Sequence, residues 1–368
     1  MSEPLDAVVI GAGAVGLAVA ARLARPGRSV AVLERNRRHG LEASSRSSEV
    51  VHAGFYYKPG SLKARLCVEG RRTLYALAET RGFFAKKVGK LVVAPDDAGR
   101  PKLEALLAQG RANGVEGLEL IDGAEAARRA PGVRAAAALW SPETGIMDTE
   151  GLMDSYRAAA EEGDAMIVLG SELTRVERET NGYALWTSGE AEPLRARVVV
   201  NAAGLFSDRV AALAGFGVDA LGWRLRWFKG EYFSLKRTLP PRCLVYPLPA
   251  AHGLGIHLTV DRQGRQRLGP NAFPVKSLDY DVDASHAADF FDAARSYLPD
   301  LHLEDLSPGT SGIRAKLSTD GSFRDFVIEE GKERGFPGWV NLIGIESPGL
   351  TASPAIADFA ADLLGWGT

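Results

Sequence analysis

Short apolar runs alternate with polar breaks from the start of the chain. Ala7–Ile10 is unbroken apolar sequence of strand length. Leu17, Val19, Ala20 and Leu23 then recur at helical spacing, Arg25-Pro26-Gly27 breaks that stretch, and Ser29–Leu33 is a second apolar run. Runs this short and this apolar predict parallel strands buried on both faces. Ser61 predicts a cap for a helix over 62–81, followed by a strand over 90–94, a helix over 100–113 and a short helix over 122–129. A strand over 135–140, a helix over 149–162 and a strand over 165–169 follow. Asn181-Gly182 predicts a hairpin joining 172–177 to 182–187, and a buried strand over 197–204 leads into a helix ending at Ala214. From Trp223 to Asn271 the apolar period becomes two, with strands over 228–235, 243–248, 255–260 and 267–269. A helix over 284–297, a strand over 339–345, a turn over 347–351 and a helix over 354–364 close the chain. Pro354 is placed in that helix's first turn, where a missing N–H does no harm.

The change of period divides the chain. The expected class is α/β (α+β overall): a Rossmann-type domain with an inserted, mainly antiparallel substrate domain. The boundaries read 1–85, 146–220 and 310–368 for the first, and 86–145 and 221–309 for the second.

Composition adds exclusions. Lys+Arg number 44 against Asp+Glu 46, a net charge of −2, which implies no general attraction to nucleic acid. The two cysteines, Cys67 and Cys243, lack metal-cage or disulfide-framework spacing and suit a reducing compartment. Acidic residues before the first apolar run, and its short length, argue against an export signal. The expectation is a cytoplasmic protein, with peripheral contact at the inner face of the membrane left open, and no bound metal.

Gly11, Gly13 and Gly16 stand as G-x-G-x-x-G between the first strand and helix, and Glu34 ends the second strand. The turn needs the first glycine, a pyrophosphate needs the space at the second, and close helix packing needs the third. Glu34 suits ribose hydroxyls. An ADP-containing cofactor is expected here. Ser44, Ser45, Ser47 and Ser48 surround Arg46, a set of donors for pyrophosphate oxygens or the polar edge of a flavin. Ala202-Ala203-Gly204, near Ser207, permits close backbone approach to a ligand.

These stretches, with Ser347-Pro348-Gly349-Leu350-Thr351, resemble the D-amino-acid oxidase superfamily of FAD enzymes. Within it, His52–Lys63, Lys229–Phe233, Gly255–Thr259 and Leu268–Asn271 resemble the L-2-hydroxyglutarate dehydrogenase/oxidase family. The Glu346–Thr351 segment is closer to the glycerol-phosphate type. The resemblance implies FAD, with contacts also from Ala12, Ala14, Arg35, Val50, Val51 and Leu173. It implies oxidation of a small 2-hydroxy acid, L-2-hydroxyglutarate to 2-oxoglutarate, by hydride transfer to flavin. A glycerol-3-phosphate dehydrogenase-like enzyme, an amino-acid or amine oxidase, and a non-catalytic flavin-binding redox module are the alternatives.

Such a reaction needs a base for the hydroxyl proton and a cation for the carboxylate. Of six histidines, His52 and His257 lie in apolar, strand-like segments, and His52 is the first choice of base. Arg314 matches the superfamily's carboxylate-gripping arginine. Tyr57, Lys58 and Lys229 are further substrate contacts for a dicarboxylate. A second G-x-G-x-x-G is absent from the sequence, so reduced flavin is expected to discharge to oxygen, a quinone or an electron-transfer protein.

Overall fold

The computed structural model describes residues 3–249, 255–318 and 322–367; His252 lies outside the described residues. Its first sheet has eight strands. Phe336–Ile343, Leu194–Asn201, Leu5–Ile10, Val30–Glu34 and Met166–Leu169 run parallel, in that spatial order. The hairpin Leu173–Glu179/Gly182–Thr187 pairs with the start of Leu194–Asn201, and Val327–Gly331 pairs with Phe336–Ile343.

Alternate residues of the first strand feed two cores. Ala7 and Val9 face helices Ala14–Leu23, Thr149–Glu162 and Gly349–Leu363. Val8 and Ile10 face the other side, with Leu173, Leu205, Trp223 and Ile313. Double burial explains why the run is continuously apolar rather than alternating. Each such side chain contributes about 1.5–3 kcal/mol on leaving water.

The second sheet has nine strands, ordered Phe273–Val275, Arg226–Leu235, Gln266–Gly269, His257–Val260, Leu244–Pro247, Lys90–Ala94, Ala137–Ser141 and Glu119–Asp122, with Leu306–Lys316 on Arg226–Leu235. Leu244–Pro247 runs parallel to Lys90–Ala94, and the other pairings are antiparallel. A three-stranded sheet of Val50–Val51, Gly145–Met147 and Ala85–Lys87 stands beside them.

Three expectations change. Leu306–Lys316 is a strand of the antiparallel sheet, so a boundary at 310 cuts through it: its mixed Ser, Pro and Gly content hides a strand that long pairing with Arg226–Leu235 holds in place. The last helix spans Gly349–Leu363, with Pro354 inside it rather than in its first turn. Close packing on helices Ala14–Leu23 and Leu62–Arg81 compensates for the lost hydrogen bond, and the residues read as a turn become the helix start. The stretch 284–297 begins as a tight turn, Ala284–His286, and its helix covers only Ala287–Ala294.

Candidate active site

Two adjoining cavities of about 600 and 680 Å³ share Ala43, Ser44, Gly204 and Leu205 in their walls.

The first is a backbone-built cradle. Gly11 has φ 103°, and a Cβ on it would stand 2.6 Å from the Ala202 carbonyl oxygen. A Cβ on Gly16 would lie 1.9 Å from the Gly11 carbonyl oxygen, so strand, turn and helix touch directly. The Ser44 hydroxyl accepts the Ala14 N–H at 3.0 Å, closing the start of a helix whose own cap, Gly13, has no side chain. Glu34 accepts the Ala12 and Asn36 N–H groups, both at 2.8 Å. Its carboxylate is thus fixed at the strand end, with lone pairs remaining for hydroxyl donors. Arg35 lies over the Phe206 ring at 3.8 Å and is bound to Glu42. Leu173, Ala202 and Ala203 also line this cavity.

The second cavity is made of side chains from distant segments. Val50–Val51 carries the chain to His52, whose N–H donates to Thr351 Oγ1 at 3.0 Å; Thr351 Oγ1 lies 3.3 Å from the Val50 carbonyl oxygen, which accepts from it. The last helix therefore starts against this strand, and Pro348, Gly349, Leu350 and Thr351 put its positive end on the cavity wall. His52 Nε2 and the Tyr57 hydroxyl each lie 3.3 Å from Ser347 Oγ.

His257 begins the strand opposite. Its Nδ1 is 3.0 Å from the Gly255 carbonyl oxygen, which can only accept. The proton therefore sits on Nδ1, and Nε2 carries a lone pair. The ring stacks on Tyr246 at 3.7 Å. Burial, then Lys90 and Arg314, hold His52 well below the ordinary histidine value. Burial and then Lys90 also hold His257 well below it, against the bond to Gly255, with smaller contributions from Arg314 and His52 in the same downward direction. Both imidazoles are neutral at neutral pH.

Arg314 projects from the Leu306–Lys316 strand into the same cavity, and its guanidinium makes no hydrogen bond or ion pair with any described residue. Lys63, by contrast, is bound to Glu346 at 2.9 Å. A guanidinium without a carboxylate, beside two neutral imidazoles, suits an anionic ligand.

The cavities bring together His52, Tyr57, His257 and Arg314, and Arg46, Ser48 and Val50 of the cofactor set. Gly11, Gly13, Glu34, Arg35 and Leu173 line the first. Ala12, Gly16 and Val51 lie behind the walls as packing. Ser45 is exposed, and Ser207 is fully buried away from both cavities. Lys58 is exposed outside the cavity. Lys229 is buried and bound to Asp279 at 2.8 Å, so its charge is already matched. Tyr56, Lys63, Tyr232, Tyr246, Asn271 and Ser347 line the second cavity without having been chosen as site residues. All but Tyr246 fall within the segments that carry the family resemblance, which is the signal that points to them.

A profile of the family described as "FAD dependent oxidoreductase" matches residues 6–363. The chain belongs to this family. The oxidoreductase is 39% identical to the Arabidopsis thaliana "L-2-hydroxyglutarate dehydrogenase, mitochondrial", over 98% of this chain and 83% of that one. It is 31% identical to the Homo sapiens protein of the same name, over 98% and 89%. Its fold matches a dithionite-reduced L-alpha-glycerophosphate oxidase from Mycoplasma pneumoniae with FAD bound, at TM-score 0.90 and 25% identity over 99% of this chain and 96% of that one. The oxidoreductase's residues fit the flavin cofactor. The glycine cradle that a Cβ would fill, with Glu34 at its end, suits the ADP half, and the adjoining chamber has room for the ring. No described helix is long and apolar enough to cross a membrane.

Proposed function

We propose that this enzyme oxidises L-2-hydroxyglutarate to 2-oxoglutarate. The observation that carries the reading is the unpaired Arg314 in one cavity with two neutral histidines. The curated relatives' names point to the same substrate. Arg314 receives a substrate carboxylate through its planar fork, and the tyrosines and apolar wall exclude water from the reacting carbon. Bound FAD supplies the hydride acceptor. His257 takes the hydroxyl proton on Nε2, since its bond to Gly255 presets that tautomer. His52, the first choice on sequence, has Nε2 engaged by Ser347 and becomes an orienting neighbour.

Cofactor binding falls to residues 1–85, 146–220 and the chain from 317, and substrate recognition to 86–145 and 221–316. The pairing of Leu306–Lys316 with Arg226–Leu235 supports that boundary. Oxygen, a quinone or an electron-transfer protein takes the electrons. The buried free thiols are compatible with the cytoplasm, whereas the relatives' names say mitochondrial; cell fractionation decides the compartment.

The test is anaerobic bleaching of the flavin by L- and D-2-hydroxyglutarate, lactate, glycerol 3-phosphate and amino acids. Fast bleaching by L-2-hydroxyglutarate alone is expected. Bleaching by glycerol 3-phosphate and by no hydroxy acid transfers the enzyme to the glycerol-phosphate reading, which the Glu346–Thr351 segment and the fold match favour.

A further inference from the structure

Lys90 is fully buried, yet its ammonium nitrogen has no hydrogen-bond partner. It begins the strand Lys90–Ala94, between Ala137–Ser141 and Leu244–Pro247, and does not reach the cavity surface. Three aromatic rings receive its charge instead. Its Nζ stands 3.9 Å from the Tyr246 ring centre, 5.4 Å from that of Tyr56 and 5.7 Å from that of Phe55. Tyr246 is the ring on which His257 stacks at 3.7 Å, nearly parallel at 15°. Ammonium, phenol and imidazole thus form one pile behind the reaction chamber. A buried, unpaired amine is costly, and packing alone would be served better by an apolar side chain.

We propose that Lys90 is a positioning residue for the oxidation: caged by the three rings, it places a positive charge behind His257 and His52 that keeps them as proton acceptors when the solution turns acidic.

The proposal rests on the histidine-base reading above. The surrounding charges support it. His52 faces two cations, Lys90 and Arg314, and His257 faces the same two together with His52. Cys67, on the helix Leu62–Arg81, is the titratable group that interacts with Lys90, and only its thiolate would favour the charged lysine. That thiol is itself pushed up to about 12 by burial, against the pull of Arg71 and Lys90, so it carries no charge at neutral pH. Tyr56 and Tyr246 are raised well above the ordinary tyrosine value and are likewise neutral. Burial pulls Lys90 down to about 7, so its charge is present on the acidic side, where the histidines would otherwise take up protons.

The test is Lys90→Met in the FAD-loaded enzyme. Nitrogen-15 NMR of the histidine rings should show His257 titrating about one pH unit higher than in the wild type, because a nearby like charge has gone. The acidic limb of the flavin-reduction rate should rise by the same amount, with the alkaline plateau little changed. An unmoved His257 titration overturns the proposal, as does a rate loss equal at every pH, the mark of a purely structural role. The NMR measurement needs no turnover, so a wrong substrate assignment fails separately, in the bleaching screen. If neither His257→Ala nor His52→Ala alters the acidic limb, the base reading falls and the role of Lys90 falls with it. Thermal unfolding checks that the variant folds. Between about 7 and the ordinary lysine value of 10.5, the unfolded chain holds a proton that the folded chain lacks. The lysine's cost to stability is therefore full below about pH 7 and fades as pH rises. Lys90→Met should be at least as stable as the wild type, with its largest advantage at acidic pH.

Discussion

The nucleotide cradle and the reaction chamber touch each other but are made differently. In the cradle, a hydrogen-bonded frame of main-chain N–H groups, a helix start and a strand-end carboxylate lies within residues 12–44, and the facing wall comes from 171–173, 202–213 and Arg224. In the chamber, His52, Tyr232, His257, Arg314 and Ser347 come from five separated segments, and side chains supply the polar surface. The cradle binds through shape and backbone dipoles, so it fails when backbone approach is blocked. The chamber presents titratable and charged side chains, so replacing one of them is expected to disable it.

Blocking backbone approach should have the largest effect. Gly16→Val puts carbon where the Gly11 carbonyl oxygen stands, 1.9 Å from the Cβ position. Flavin absorbance per chain should be lost and soluble yield should fall sharply; normal FAD content would break the account of the cradle. In the chamber, His257→Ala should retain FAD while slowing anaerobic flavin reduction by roughly 10² to 10⁴. His52→Ala should be milder, and the reverse order would restore the expectation from sequence. Because both histidines lie well below 6.5 in the folded protein, the wild-type rate should stay level as pH falls through 6.5 and drop only at lower pH. The unfolded chain takes up protons near 6.5 that the folded chain refuses, so stability should decline with acid from that point. A rate falling already at pH 7 would contradict neutral, buried imidazoles.

Arg314→Met should raise the KM for the acid about a hundredfold, the scale of losing the cation from a desolvated charge pair. A change in kcat at constant KM would place Arg314 elsewhere in the reaction. Glu34→Ala should weaken FAD binding by about tenfold through lost hydroxyl and N–H contacts, read by flavin release on dilution. Since Glu34 also holds the Ala12 N–H, some of that loss reflects a loosened turn. The smallest effect belongs to Lys58→Ala. Its exposure outside the cavity predicts an unaltered KM, and a clear rise would return it to the substrate site.

The division between cradle and chamber is also the division between what sequence could and could not determine. Strand, glycine turn, helix and terminal acid lie within one continuous stretch, where period, turn sterics and helix-end dipoles act between near neighbours. That local physics is enough to specify the cofactor class and the parallel sheet. Resemblance extended it to His52, His257 and Arg314. Which charges were already matched required the tertiary structure. Lys229 and Arg314 are both cations on strands, but folding brings Asp279 to Lys229 and no described anion to Arg314. His257 and His52 are alike in sequence terms, and only the Gly255 carbonyl and the Ser347 hydroxyl distinguish their free nitrogens. Lys90 reads as an ordinary charge at a strand start, and its burial among three rings from two distant segments follows from long-range packing. Local sequence sets the backbone conformation, whereas a buried group's protonation and partners depend on everything the fold brings within a few ångströms.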